Sequence, residues 1–183
     1  MAIVIPYVKQ TWTDGSGGGT PISAARLGVL EEGILDASLA PAVRAFHNAS
    51  QSTSSATTLA LALNSERFDT AGGVASTQHD TVTNNSRLTA IYAGIYQITG
   101  NVEWAGSNSG LRNVFIRLNG TTTIGYTQDT PGTVSAWQQS VSTLYQLAVS
   151  DYVELCVNQT TAGALNINST ANYSPEFMMV RVG

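Results

Sequence analysis

From Ala42 to the end of the chain, apolar and polar positions alternate with a period of two. Leu59-Ala60-Leu61-Ala62-Leu63 alternates large and small side chains, as a strand with one face on a core does. Ile95 to Trp104 continues the pattern, and Val114, Ile116 and Leu118 alternate up to Asn119-Gly120. A Thr-rich run then leads to Tyr126. Asn-Gly between two alternating runs is a strong short-range signal for a hairpin. Val141, Thr143 and Tyr145 lead to a break at Ser150-Asp151, and Tyr152 to Val157 alternates again. Leu165 and Ile167 make a short strand, and Phe177 to Val182 makes the last. Short strands separated by Gly, Asn, Ser and Pro predict a mainly β fold, an antiparallel sandwich or jelly roll.

Ahead of Pro41 the period changes. Thr20 offers a helix cap, and Pro21 sits where a first helical residue needs no N–H donor. From Ile22 to Ala37, residues Leu27, Leu30, Ile34 and Ala37 recur at heptad-like spacing, and Ile22, Ala25 and Val29 widen the seam. The predicted helix has about 17 residues and is roughly 25 Å long. That length is marginal alone in water, so its apolar face is expected to be buried, on its own domain or against copies of itself. The seam between a glycine linker and a strand-rich domain favours a short bundle of copies, with Leu27, Leu30 and Ile34 as its oligomerisation residues. Gly28 and Gly33 weaken the isolated helix. Residues 1–20 carry isolated apolar anchors, Ile5, Tyr7 and Trp12, before the Gly15–Gly19 linker. They read as a docking arm with Tyr7 and Trp12 as its attachment residues; the plain alternative is a disordered terminus. The expected organisation is an arm and linker over 1–20, an oligomerising helix over 21–40 and a β-sandwich knob over 41–183.

Composition narrows the class. Charged residues are 11% of the 183-residue chain, against roughly 25% on average. Ser, Thr and Asn supply roughly 28% of the chain, a high share against average usage. With 43% hydrophobic residues the chain has enough apolar material for a core, unlike a disordered one. A net charge of −4, a single lysine (Lys9) and scattered arginines argue against nucleic acid or an anionic membrane as partner. Cys156 is the only cysteine, so no internal disulfide is available. No segment has the length and apolarity of a membrane-spanning helix. Ala2–Ile5 stops at Pro6 without a basic leader, so it does not read as a signal peptide. The six Asn-x-Ser/Thr sequons, starting at Asn48, Asn84, Asn119, Asn158, Asn168 and Asn172, then imply no glycan.

No catalytic constellation emerges. Cys156 lies in an alternating run with no histidine nearby in sequence, and reads as a buried structural thiol. His47 is placed at the end of the first strand and His79 stands beside Asp80. A metal held by His79, Asp80 and a symmetry mate is conceivable, but two histidines are too few for a zinc site, and no metal or cofactor is expected. Asp69, Asp80, Asp129 and Asp151 are read as turn residues. Gly15–Gly19 lacks the lysine and preceding strand of a phosphate loop. Ligand recognition fits better. The expected loops Ser50 to Thr58, Ala71 to Ser86, Gly106 to Arg112 and Gln128 to Gln138 are rich in uncharged donors and acceptors, with solvated connectors as the plain alternative. Tyr92, Tyr126, Trp104 and Trp137 are aromatics able to stack on a sugar face. Trp104 sits inside an alternating strand and reads as core. Tyr126 and Trp137 remain the candidate ligand contacts, with packing into the core as the alternative for Trp137.

Two resemblances add to this reading. Residues from about 43 to 183 resemble the jelly-roll superfamily of tumour necrosis factor and the globular head of complement component 1q. The segments that carry it are Ala93-Gly94-Ile95-Tyr96-Gln97-Ile98, Val114 to Gly120, Ser142 to Leu147 followed by Asp151-Tyr152-Val153-Glu154-Leu155, and the ending Ser174 to Val182. Ser150 departs from the pattern, since many members carry Gly before that Asp. The first 40 residues are similar to a leader of tailed-phage and prophage virion proteins. That resemblance is carried by Trp12-Thr13-Asp14-Gly15, Gly18 to Leu27 and Leu30-Glu31-Glu32-Gly33-Ile34-Leu35-Asp36-Ala37. There the leader resembles an attachment arm plus an oligomerising helix ahead of a variable distal domain.

Both resemblances imply a homotrimer. Together they imply a non-enzymatic phage virion protein, made in the host cytoplasm and exposed on the extracellular particle. Its arm is expected to join another virion protein. The expected role is a tail-associated fibre or tip knob binding a host surface glycan or receptor. The alternative is a head fibre, collar or capsid-decorating protein with a structural role.

Overall fold

The computed structural model describes residues 27–31, 34, 40–71, 74–132 and 134–183. The arm, with Tyr7 and Trp12, lies outside them. Leu27–Glu31 and Ile34 are helical, and the rest of the expected helix falls outside the described residues.

Thirteen strands follow among the described residues. They are β1 Ala42–Phe46, β2 Gln51–Thr53, β3 Leu59–Ala60, β4 Ser65–Ala71, β5 Val74–Ala75, β6 Arg87–Thr89 and β7 Gly94–Trp104. After these come β8 Arg112–Leu118, β9 Thr122–Asp129, β10 Trp137–Leu147, β11 Tyr152–Gln159, β12 Leu165–Ile167 and β13 Glu176–Arg181. They form two antiparallel sheets. The larger runs β2-β12-β7-β13-β1-β4-β5, with β10 also on β7; the smaller runs β3-β11-β8-β9, with β6 also on β11. The strand β7 is the spine of the larger sheet. It pairs with β10 over its whole length, from Gly94 opposite Leu147 to Trp104 opposite Trp137. Its other edge takes β13 and then β12.

Period-two patterning explains which face goes inward. Tyr96, Ile98, Val102 and Trp104 of β7 face Val114 and Ile116 of β8 and Val153, Leu155 and Val157 of β11 in one core cluster. All are at most 1% exposed, and each large aliphatic one contributes roughly 1.5–3 kcal/mol by leaving water. Trp104 is core, as its strand position predicts. Its indole N–H donates to Gln139 Oε1 at 3.0 Å, and Gln139 Nε2 donates to the Arg112 carbonyl at 3.2 Å. The buried donors are thereby satisfied.

The hairpin between β8 and β9 turns through Asn119 (φ 48°) and Gly120 (φ 72°), with Thr121 N–H donating to the Leu118 carbonyl. Two successive positive φ values are what a type I′ hairpin needs. At the β10–β11 corner Ser150 has φ 72°. The backbone there takes the left-handed conformation that suits glycine, although this chain carries serine.

Three expectations are corrected. Leu59–Leu63 is not a five-residue strand: β3 ends at Ala60. Leu61 and Leu63 are still fully buried, with single bonds from their N–H groups to the Leu155 and Asn85 carbonyls. Burial made the alternation there, without a ladder. Asp69 is not a turn residue; it sits in β4 at 8% exposure, accepting from Gln78 Nε2, Ser76 Oγ and the His79 N–H. Arg112 does not belong to a solvated loop. It opens β8 fully buried, and its guanidinium donates to the carbonyls of Ser107 and Ser109.

Candidate functional site

The chemistry-bearing residues named from sequence do not converge. Cys156 is fully buried in β11, and burial pushes its thiol up to about 12. A thiol so rarely ionised is no nucleophile at neutral pH. The buried His79 ring is committed on both nitrogens, to Glu66 Oε1 at 2.8 Å and the Asn85 carbonyl at 3.2 Å. Asp80 instead accepts from the N–H groups of Val82 and Thr83, and the Thr83 bond above all holds its carboxyl below the usual range. No group of three or more His, Cys, Asp or Glu side chains converges as a metal site among the described residues. No described helix is long and apolar enough to cross a membrane.

The candidate contact residues are spread over the molecule. Tyr126 is exposed on β9, its hydroxyl 2.8 Å from Gln128 Oε1 and 3.1 Å from Asn113 Oδ1, and its ring tilted against Phe115. Trp137 is half-buried where β10 begins and packs against the core. Its indole nitrogen is buried with no acceptor among the described residues. Tyr126 and Trp137 thus lie on strands of different sheets. Leu27 and Ile34 are exposed in the single chain, and Leu30 is half-exposed.

Two surfaces stand out that the sequence did not single out. The first is the outer face of the larger sheet. Leu144, Gln97, Val180 and Ala42 lie across one row of neighbouring strands, and Ser142, Thr99, Met178, Arg44 and Phe68 across the next. Leu144 is 61% exposed, and Ile95, Val182 and Phe68 are also open to solvent. The polar members are neutral and bonded to one another, Gln97 Nε2 donating to Ser142 Oγ at 2.7 Å and Thr99 Oγ1 lying 3.1 Å from it. Arg44 is the only charged residue in these two rows.

The second surface is a cleft of about 320 Å³ where the end of β1, Arg67 of β4 and the loop from β12 to β13 meet. The carboxylate of Glu176, 1% exposed, takes Arg44 on one oxygen and Arg67 on the other. The Arg67 guanidinium also lies 4.1 Å above the Phe46 ring, in cation–π contact. Arg44 Nη2 donates to the Asn172 carbonyl at 2.9 Å. Beside the cleft, Glu103 accepts from Asn168, Tyr173, Thr170 and Gln138. The Asn168 and Tyr173 bonds hold its carboxyl below the usual range, while the Tyr173 hydroxyl is raised by donating to Glu103. Glu176 stands 132 residues from Arg44 and 109 from Arg67 in sequence. No local spacing could have marked that group.

No family profile matches the chain, and no curated protein matches it. Solved structures do. The crystal structure of murine APRIL at pH 5.0 superposes with a TM-score of 0.57 at 8% identity, covering 78% of this chain and 99% of that one. The structures of murine APRIL at pH 8.5 and pH 8.0 give TM-scores of 0.56 and 0.57 with the same identity and coverage. These are jelly-roll domains of the tumour necrosis factor family. Two antiparallel sheets in this arrangement give the chain the jelly-roll sandwich fold of that family's domains.

Proposed function

We propose that the chain is a non-enzymatic, homotrimeric virion protein of a tailed phage. In this reading residues 1–20 attach it to another virion protein, 21–40 bundle three copies, and the jelly roll is a tail-associated knob for a host surface glycan or receptor. The observation that carries the trimer is the outer face of the larger sheet. It exposes Leu144, Ile95, Val182 and Phe68 with little charge around them, as a self-association surface does. The heptad-like seam of Leu27, Leu30 and Ile34 supports the same assembly, and the similarity of the leader to phage virion proteins supports the setting. The inaccessible thiol of Cys156 and the committed ring of His79 support a role without catalysis.

Immunogold labelling of virions, paired with fluorescently labelled full-length protein on host cells, tests the role. Tail labelling with saturable cell binding is expected. Head labelling with no cell binding at any concentration overturns it in favour of the head-fibre, collar or decorating role.

A further inference from the structure

Two guanidinium groups, Arg44 and Arg67, share the single carboxylate of Glu176 at the end of β1, and Arg67 and Glu176 line the cleft there. The neighbouring carboxylate, Glu103, is turned to Asn168, Thr170 and Tyr173. Each arginine keeps an unused donor edge. Arg67 spends Nε and Nη2 on Glu176 Oε1, at 3.2 and 2.9 Å, and its Nη1 has no acceptor among the described residues. Arg44 spends Nε on Glu176 and Nη2 on Asn172, which likewise leaves Nη1. Both side chains are about a third exposed, 32% for Arg44 and 33% for Arg67.

Position is fixed as well as charge. Glu176 holds both guanidiniums from below and Phe46 holds the plane of Arg67 from the side, so little side-chain freedom remains to be lost on binding. The opposite wall is the loop carrying Ser169 and Thr170. That loop is itself tied down, Ser169 Oγ donating to the His47 carbonyl at 3.2 Å and Thr170 Oγ1 to Glu103 at 2.9 Å. A volume near 320 Å³ is at the small end of ligand clefts and suits one sugar ring.

We infer that this cleft binds a carboxylate-bearing sugar, a uronic or sialic acid, with the carboxylate on the free edge of Arg67 and ring hydroxyls toward the Ser169–Thr170 loop. A guanidinium edge matches a carboxylate with two parallel donors. The inference rests on the glycan-binding reading of the knob and moves the contact from Tyr126 and Trp137 to the end of β1.

The test is titration of the full-length protein with glucuronate, N-acetylneuraminate, glucose and inorganic phosphate, followed by calorimetry or ligand-observed NMR. At least one acidic sugar is expected to bind, with glucose and phosphate weaker by about tenfold or more. Arg67→Gln is expected to weaken the acidic sugar by a similar factor. Ala171→Trp narrows the cleft without touching the ion pairs and is expected to do the same, so a folding defect in the arginine variant does not decide the matter. Equal binding of phosphate and acidic sugar overturns the assignment, and so does acidic-sugar binding that both variants leave intact. No binding of either acidic sugar overturns it too. Cell binding by the labelled protein, measured alongside, separates the two claims. Cells bound without dependence on Arg67 leave the receptor role standing and remove the cleft; acidic sugar bound in the cleft without cell binding does the reverse.

Discussion

Replacing Gly100 by alanine probes the contact between the two sheets. Gly100 lies midway along β7, opposite Val141 of β10 and Phe177 of β13, both buried. A Cβ built there would stand 2.4 Å from Leu155 Cδ1, 2.9 Å from Cδ2 and 3.1 Å from Cγ. Leu155 is on β11 of the facing sheet, fully buried, paired with Ile116 of β8 and carrying the Leu61 N–H on its carbonyl. Its side chain has to shift within the buried core to admit the methyl. Overpacking of this kind costs about 1–3 kcal/mol, offset by the roughly 0.5–1 kcal/mol that alanine gains over glycine within a strand. The net expectation is a loss of up to about 2.5 kcal/mol, which lowers Tm by up to roughly 10 °C for a chain of this size. The assay is thermal and urea unfolding of wild type, Gly100→Ala, Leu155→Val and the double variant at one protein concentration. Trimming Leu155 makes room for the methyl, so the double variant is expected to be more stable than the sum of the single losses by about 1 kcal/mol. Strict additivity refutes the close apposition of β7 and β11.

Ser150→Gly relieves the left-handed backbone at φ 72° and is expected to stabilise by about 1 kcal/mol, read as a rise in Tm; a fall contradicts the corner's geometry. Glu103 has a depressed carboxyl, so its contribution is present above the ordinary carboxylate value and lost as pH falls toward its folded one. Urea midpoints of Glu103→Gln are therefore expected to fall less steeply than wild type below about pH 4.3, and parallel curves count against the network. Cys156, with its thiol pushed up to about 12, is expected to resist an aromatic disulfide reagent in the native state and to react fully in denaturant. Rapid native labelling contradicts its burial.

The parts of the fold that were legible are those whose signal is local. The strand β7, the β8–β9 hairpin with its Asn119-Gly120 turn, and β11 follow from alternation and turn chemistry alone. Even Ser150, conspicuous as a departure from a glycine pattern, marks a left-handed residue. Alternation misled at Leu61 and Leu63, because it reports burial and not ladder pairing. It hid β4, whose run of Glu66, Arg67, Phe68 and Asp69 is broken by a register shift against β1. The start of β10 was masked by Gln138, Gln139 and Ser140, where Gln139 is buried as the partner of Trp104. Arg112 read as a loop cation because its task, capping loop carbonyls from inside the sandwich, leaves no periodic trace. The Arg44–Glu176–Arg67 cleft was out of reach for a different reason: only tertiary folding brings its charges together.

The central claim, a jelly-roll knob that works as three copies, is tested most directly by sedimentation equilibrium of the full-length chain at micromolar concentration. A single species with three times the 19.2 kDa chain mass is the expected result, and Leu144→Asp, which puts a carboxylate among the exposed apolar residues of the sheet face, is expected to shift it toward one chain. A wild-type protein that sediments as a monomer across that concentration range contradicts the account.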